Sequence, residues 1–350
     1  MNKMLNVLIV LAALLCSLEV PVFAQTDPCI GWSTGIVKPF QPPYSDATCE
    51  YQTYSFGSYT CKVFLCAPPA GPKEIRSKCP ECSNPISLNA GNVYIEENDV
   101  RIPGLAGGLT FSRTWNSTWP LTQTALQIGS FGLNWRSTYE ERIFAGGDNF
   151  TKYARGDGSF WSFGGGGPLY PLAPANITAS LTTDSPPTKW TLTFQNGERR
   201  VFDFVSGSLT AIIDRNGNTT QLTYDGINRL VTVTDPGGRH LYFGYQNNSS
   251  YLITSVTSDV GISLSYAYDS QGRLVQVTEP DQTTLTYQYN VNSMITAVID
   301  SNGKVLESHT YDYCSRGTSG ARAGGVESVT LSYPAPVCPG TITLSLSIEP

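Results

Sequence analysis

Histidine is scarce in this sequence, and its scarcity bounds the chemistry that the chain can support. His240 and His309 are the only two in 350 residues, and both fall in stretches that read as solvated β-strand. The sequence also lacks a Gly-x-Ser-x-Gly elbow, a His-Glu-x-x-His motif, a phosphate-binding loop and a dinucleotide fingerprint. We therefore expect no enzyme activity, with no catalytic residues, no bound metal and no cofactor.

Charged residues are also few, at 14% of the chain. The formal net charge is −6, and it is unchanged when the first 24 residues are removed, because these contain only Lys3 and Glu19. A mildly acidic protein has no electrostatic attraction for nucleic acid or for an anionic membrane surface. We expect neither as a partner.

Long apolar runs are absent except at the N-terminus. A positively charged start is followed by an apolar run over residues 7–15 and by a small-residue cleavage site, Val22-Phe-Ala24. The run is too short to span a bilayer. We predict a signal peptide over residues 1–24, and an exported mature chain, secreted or at the cell surface, with no transmembrane segment. Lipoprotein processing at Cys16 is the weaker alternative.

The predicted mature chain keeps an even number of cysteines, which in an exported protein indicates disulfide bonds. The candidate disulfide residues are Cys29, Cys49, Cys61, Cys66, Cys79, Cys82, Cys314 and Cys338. The first six lie in residues 25–83, a segment too small and irregular to be held by a core, so bridges of about a few kcal/mol each would stabilise it. Their pairing is open, and a four-thiolate zinc site at the last four of these six is the alternative.

Residues 214–313 repeat about every 21 residues. The tyrosines that mark the period are Tyr224, Tyr245, Tyr266, Tyr289 and Tyr311, at steps of 21, 21, 23 and 22. Turns rich in Asp, Asn, Gly and Pro separate the units. A fixed period of this length predicts stacked supersecondary units, none of which buries its apolar face alone.

Each unit alternates apolar and polar residues with the period of a β-strand. In residues 263–268, Leu264, Tyr266 and Tyr268 fall on one face, and Ser and Ala fall on the other. The second half of a unit is shorter, as in residues 274–278, and a turn joins the two halves. The pattern predicts an antiparallel sheet of β-hairpins.

Two of these units resemble a known repeat. Tyr224-Asp-Gly-Ile-Asn-Arg-Leu230 and Tyr268-Asp-Ser-Gln-Gly-Arg-Leu274 resemble the YD repeat of the Rhs family, and Tyr311-Asp-Tyr313 looks like the start of a further unit that does not finish. Segments 84–94 and 132–140 are similar to the Rhs-associated N-terminal domain. Large members resemble a closed β-shell around a C-terminal effector. With about five repeats, the resemblance implies a partial, unclosed shell.

The predicted fold is therefore all-β, with five segments in order. They are a signal peptide at 1–24, a Cys-rich disulfide-stapled segment at 25–83, an Rhs-associated N-terminal β domain at 84–189, YD repeats at 190–313 and a tail at 314–350. Within the tail we expect a loop over 315–325 followed by strands. A Cys314–Cys338 bridge would attach the tail to the last repeat and cover a sheet edge that could otherwise pair with another chain.

Aromatic residues suggest a ligand class. Flat rings on a β-surface can stack on sugars, and the candidate stacking residues are Trp115, Trp119 and Trp161. We expect a non-catalytic binding or scaffold module, with carbohydrate as the favoured ligand. The alternative is a truncated or split component of an Rhs-type contact-dependent toxin-delivery system, with another Rhs-type chain as its partner.

Overall fold

The computed structural model describes residues 49–56, 59–66, 86, 91–119, 126–145, 151–164, 169–173 and 178–333. The predictions for the signal peptide and for Cys29, Cys79, Cys82 and Cys338 lie outside these residues. Within them the chain is built from β-strands, with single turns of 3-10 helix at Leu105–Gly107 and Ala323–Gly325. These same ranges contain no helix with the length and apolar character needed to cross a bilayer. The predicted all-β class is confirmed.

The strands of the described ranges form five sheets, all antiparallel. Their bounds are β1 Cys49–Phe56, β2 Tyr59–Cys66, β3 Tyr94–Ile102, β4 Leu109–Asn116, β5 Ile128–Gly129, β6 Gly132–Leu133, β7 Trp135–Ser137, β8 Arg142–Ala145, β9 Thr151–Ala154, β10 Phe160–Gly164, β11 Tyr170–Ala173, β12 Ala179–Thr183, β13 Lys189–Phe194, β14 Arg199–Asp203, β15 Leu209–Ile213, β16 Thr219–Tyr224, β17 Leu230–Thr234, β18 His240–Tyr245, β19 Ile253–Ser258, β20 Ser263–Tyr268, β21 Leu274–Thr278, β22 Thr284–Tyr289, β23 Ile295–Asp300, β24 Val305–Tyr311, β25 Gly317–Arg322 and β26 Val326–Thr330.

The first two strands form a separate hairpin in the Cys-rich segment. Its register places Cys49 opposite Cys66 and Tyr54 opposite Cys61. A disulfide-rich segment is not established by this hairpin, so the bridges of residues 25–83 stay predictions.

The largest sheet has 15 strands, β12 to β26, and each strand pairs with its neighbour in chain order. Strand order runs from β12 at one end to β26 at the other, so the sheet is open, as the repeat count implied. The sheet begins at Ala179, inside the segment predicted as the N-terminal domain, and continues past residue 313. The repeat architecture is therefore longer in both directions than its sequence signature.

The loop predicted over residues 315–325 is wrong for residues 317–322. Residues Gly317–Arg322 form β25, which pairs with β24 on one side and β26 on the other. Small residues are needed here, because a Cβ added to Gly317 would lie 2.6 Å from Cγ2 of Val93. The low apolar content that indicated a loop instead allows another element to approach this strand closely.

A three-stranded sheet, β3-β4-β7, supplies much of the core that covers the apolar face of the large sheet. Ring pairs join the two layers: Phe111 with Phe243 at 5.4 Å and Trp135 with Tyr287 at 5.3 Å between centroids. A sheet with one apolar face must bury that face against another element. The segment before the repeats provides this covering layer.

Candidate functional site

The Asp and Arg of each YD unit build its turn. Oδ1 of Asp225 accepts hydrogen bonds from the backbone N–H of Ile227 and Arg229 at 3.1 and 2.9 Å, and Oδ2 accepts one from Arg229 Nε at 2.7 Å. The same contacts recur at Asp269 with Arg273 and at Asp312 with Arg316. In these units the aspartate and arginine act as a turn clamp.

The residue before each of these arginines has positive φ. The values are 65° at Asn228, 74° at Gly272 and 62° at Ser315. Glycine and asparagine adopt this conformation with little cost, which explains the Gly or Asn of the repeat motif.

The tyrosine of each unit donates its hydroxyl to a backbone carbonyl 15 or 16 residues earlier. The pairs are Tyr224 to Leu209, Tyr245 to Leu230, Tyr268 to Ile253, Tyr289 to Leu274, Tyr311 to Ile295 and Tyr333 to Gly317, at 2.5 to 2.7 Å. In the third of these pairs the contact is made by Tyr268, the tyrosine of the YD match at 268–274, and not by Tyr266, which marks the 21-residue period. The unit that begins at Tyr311 is complete, because Tyr333 closes it.

Arginine also links successive units. The guanidinium of Arg229 lies 4.5 Å from the ring centroid of Tyr245, and that of Arg316 lies 4.1 Å from Tyr333. Such cation–π contacts contribute about 0.5–2 kcal/mol each. The side chains that define the repeat in sequence are thus held by contacts within the fold.

Tyr266 belongs to a buried ionic cluster. Arg113 is fully buried, and its Nε and Nη2 donate to the two carboxylate oxygens of Asp99 at 2.5 and 2.8 Å. The Tyr266 hydroxyl donates to Asp99 Oδ2 at 2.7 Å. The Arg113 guanidinium also lies 5.0 Å from the Trp135 ring centroid. The cluster joins β3 and β4 to β20 and so fixes the covering layer on the repeats.

Burial and the Asp99 charge together shift the pKa values of Arg113 and Tyr266. Burial alone lowers the pKa of Arg113, but the adjacent Asp99 carboxylate outweighs it and holds that pKa well above its usual value. Burial, together with the Asp99 charge, raises the pKa of Tyr266. Arg113 and Tyr266 therefore stay protonated and donate to Asp99.

Glu97 gives this region a pH-dependent stability. Burial raises the pKa of Glu97 to about 7, with Arg113 opposing and Asp99 adding to the shift. The folded chain then binds more protons than the unfolded chain between about pH 4.5 and 7, so stability falls as pH rises through this window. We expect Glu97→Gln to raise the free energy of unfolding at pH 8 by about 2 kcal/mol relative to wild type and to leave it near wild type at pH 4.5.

Urea unfolding at a series of pH values measures this effect. The matched control is Glu96→Gln, which removes the carboxylate of the neighbouring exposed residue. Equal changes in both variants at pH 8 would contradict the assignment to Glu97.

The tryptophans predicted to stack on a ligand lie mostly inside the protein. Trp115 has no exposed surface and Trp161 is 5% exposed, so neither presents a ring face to solvent. Trp115 packs in the core against Tyr311, and Trp161 packs against Tyr153. This corrects the prediction for both. Trp119 is half-buried and packs edge-on against Phe160 at 5.5 Å.

A cleft of about 680 Å³ opens where the segment before the repeats meets the repeat turns. Its wall residues come from 126–142 on one side and, on the other, from Ser208 and the turns at 224–230, 245–252 and 271–272. The two walls are tied by backbone hydrogen bonds of 2.9 Å, from Ile143 N–H to Gly207 O and from Ile253 N–H to Ser130 O. The cleft is therefore a fixed feature of the fold.

Exposed apolar and aromatic side chains line this cleft. Tyr251 is 56% exposed, Ile128 69% and Ile227 43%. The Tyr251 hydroxyl donates to the backbone oxygen of Ile227 at 3.0 Å, which holds the ring beside the cleft. An exposed ring held in one orientation is suited to stacking on a flat ligand.

The cleft is also lined by several acidic and basic side chains. Arg136 pairs with Glu140 at 3.7 Å, Glu141 with Arg200 at 3.2 Å, and Arg229 with Asp225 at 2.7 Å. Arg142 instead donates Nε and Nη2 to the backbone oxygen of Ser206 at 3.0 and 2.7 Å. Burial and the neighbouring Arg136 lower the pKa of Arg142. One positive charge in the cleft is thus without a carboxylate partner among the described residues.

Sequence reasoning missed Tyr251 and Arg142, although one signal pointed to the first. Residues 246–252 lengthen the turn between β18 and β19, which stretches the ladder step from Tyr245 to Tyr268 to 23 residues. An enlarged turn in a regular array often carries function. Arg142 had no comparable signal, because its surroundings come from distant parts of the chain.

The described side chains test one of the cysteine predictions. Cys314 is disulfide-bonded. It is the one candidate cysteine whose side chain is described, so its partner lies outside the described side chains and the pairing with Cys338 stays a prediction. Among the described residues no group of three or more His, Cys, Asp or Glu side chains is placed to hold a metal ion.

The repeat geometry agrees with a family comparison. The chain matches the RHS Repeat family over residues 205–240, 252–284 and 268–305, which contain the turn clamps at Asp225 and Asp269. This chain contains Rhs repeats. Residues 83–163 of the Rhs-repeat protein also match a domain of unknown function, DUF6531, which contains β3, β4 and β7. No curated protein sequence matches the chain.

Solved structures similar to this Rhs-repeat protein include toxin complexes. The crystal structure of TcdB2-TccC3-Cdc42 is 15% identical, with a TM-score of 0.28, and the match covers 49% of this chain and 11% of that chain. The Tc holotoxin pore of Photorhabdus luminescens, with a mutation in TccC3, is 11% identical, with a TM-score of 0.24, and the match covers 62% of this chain and 14% of that chain. The chain therefore spans a small part of the length of these proteins.

Proposed function

We propose that this Rhs-repeat protein is an exported, non-catalytic binding module and that it binds carbohydrate in the cleft between residues 126–142 and the repeat turns. The observation that most supports this proposal is the exposed Tyr251 ring, held beside the cleft by its hydrogen bond to Ile227. Sugar rings have flat apolar faces and hydroxyl edges, so they need an aromatic surface next to hydrogen-bonding groups. The cleft offers both.

Rigidity of the cleft favours binding. Both walls are fixed by backbone hydrogen bonds, and Tyr224 and Tyr245 in the repeat wall are held by their hydroxyl bonds to backbone carbonyls. A preformed site loses little conformational entropy when a ligand binds. A sheet of stacked repeats therefore serves as a scaffold that presents the cleft.

A glycan array probed with the exported, folded protein tests this proposal. We expect selective binding of a set of oligosaccharides, and we expect Tyr251→Ala to weaken that binding at least tenfold while the fold is kept. The matched control is Tyr242→Ala, which removes a tyrosine that is 43% exposed but lies outside the cleft. Equal losses in both variants would place the binding elsewhere.

A second candidate function is a component of a multichain Rhs-type delivery system. It is favoured by family membership and by the open sheet, which ends at β26 in the described part of the chain. The terminal strand of an open sheet presents backbone groups that can pair with a strand of another chain. Folded protein that binds no glycan would favour this candidate over the first.

A further inference from the structure

We propose that the cleft selects an anionic sugar and that Arg142 is the side chain that recognises its carboxylate. This inference rests on the proposed carbohydrate function and specifies its ligand class. It follows from the charge balance of the cleft, from the geometry of Arg142 and from the polar groups around it.

Of the charged side chains that line the cleft, Arg142 alone has no oppositely charged partner among the described residues. Each other charged group that lines the cleft has an opposite charge within 3.7 Å: Arg136 with Glu140, Glu141 with Arg200, and Arg229 with Asp225. Among the described residues the Arg142 side chain donates hydrogen bonds to one acceptor, the neutral backbone oxygen of Ser206. Neutral sugars would leave this charge uncompensated, whereas a carboxylate would neutralise it.

The geometry of Arg142 leaves part of its guanidinium available. Nε and Nη2 share one acceptor, the Ser206 oxygen, and Nη1 makes no hydrogen bond within the described residues. Nη1 is not one of the buried side-chain atoms that lack both a partner and solvent contact, so a ligand can reach it. Arginine presents its donors as a planar fork that matches a carboxylate, so a ligand carboxylate can bind at Nη1 and Nη2.

The position of Arg142 is fixed by the fold. Its backbone pairs with that of Ser208, and the Ser208 hydroxyl exchanges hydrogen bonds with the Asn228 side chain. Partial burial and the nearby Arg136 disfavour the charged form of Arg142, which lowers its pKa. An anion bound here would relieve that cost, and the energy gained would appear as selectivity for acidic over neutral sugars.

Oligomers of galacturonic acid and galactose test this inference, because the two sugars differ only at the C6 carboxylate. We expect the wild-type protein to bind the acidic oligomer at least tenfold more tightly than the neutral one in titration calorimetry. Arg142→Gln should remove this preference, so that its affinities for the two oligomers differ by less than about threefold. Arg215→Gln is the matched control, since it removes a positive charge from an exposed repeat turn outside the cleft.

Because Arg142 also holds the Ser206 backbone, a second variant leaves Arg142 in place. Asn228→Asp adds a negative charge at an exposed cleft position that tolerates positive φ, and it should weaken acidic-oligomer binding by at least fivefold. Circular dichroism and thermal unfolding confirm that each variant is folded.

The outcomes separate the two proposals. Loss of preference in Arg142→Gln and Asn228→Asp, but not in Arg215→Gln, supports the inference. Equal affinity of the wild type for both oligomers, or equal loss in Arg215→Gln, overturns it and leaves the carbohydrate function intact. A folded wild-type protein that binds no sugar on the array overturns the proposed function itself.

Discussion

Asp99→Ala should lower the free energy of unfolding by about 3–5 kcal/mol, the largest effect that we expect from a single substitution. The variant leaves the fully buried Arg113 guanidinium without its counter-charge and removes the acceptor of the Tyr266 hydroxyl. A buried, uncompensated charge is costly because no water replaces the lost carboxylate. Urea unfolding followed by tryptophan fluorescence measures the change, since Trp115 and Trp135 lie in this core.

Two controls separate this electrostatic cost from lost packing. Asp281→Ala removes a carboxylate from an exposed repeat turn, where we expect a change within about 1 kcal/mol. The double variant Asp99→Leu with Arg113→Met replaces the ion pair with apolar groups and should recover at least half of the lost stability. If the double variant were less stable than Asp99→Ala alone, the cost would come from packing rather than from the unpaired charge.

Gly207→Ala should destabilise the fold by about 3 kcal/mol or more, through backbone strain and a direct clash. Gly207 has φ 69°, and an added Cβ would lie 1.9 Å from the backbone oxygen of Ile143. Its own carbonyl accepts the hydrogen bond from Ile143 N–H that ties the β14–β15 turn to β8. Because this hydrogen bond is one of the two that tie the cleft walls together, ligand affinity should fall together with stability.

Gly217→Ala is the matched control for that prediction. Gly217 also has positive φ, at 88°, but its added Cβ would meet nothing within 4 Å. We expect a loss of about 1 kcal/mol, the cost of positive φ alone. Similar losses in the two variants, measured by urea unfolding, would show that the close approach to Ile143 contributes little.

Local sequence predicted the repeats well because their signals are local. Alternation in residues 263–268 specifies which side chains share a face, and the Asp and Arg of residues 225–229 bond within one turn. Such features depend on neighbours within a few residues. The same reasoning does not reach the partner of Tyr266, because the Asp99 carboxylate that accepts from its hydroxyl is 167 residues away in sequence.

Tertiary contacts also decided the secondary structure of the tail and the burial of two tryptophans. The strand Gly317–Arg322 has little apolar content, and it forms because β24 and β26 supply backbone partners. Trp115 and Trp161 have side chains that suit either a core or a ligand surface, and the packing of β4 and β10 places them inside.

The sequence by itself determined the all-β class, the repeat period, the turns and the Rhs type of the repeats, since these depend on side-chain alternation and short-range hydrogen bonds. Only the tertiary structure decided where the cleft lies and which groups line it. Its walls come from residues 126–142 and 208–272, which no local pattern relates. The exposure of Tyr251 and the unpaired charge of Arg142 depend on what those distant segments place beside them. That placement is set by the packing of the segment before the repeats onto the repeat sheet.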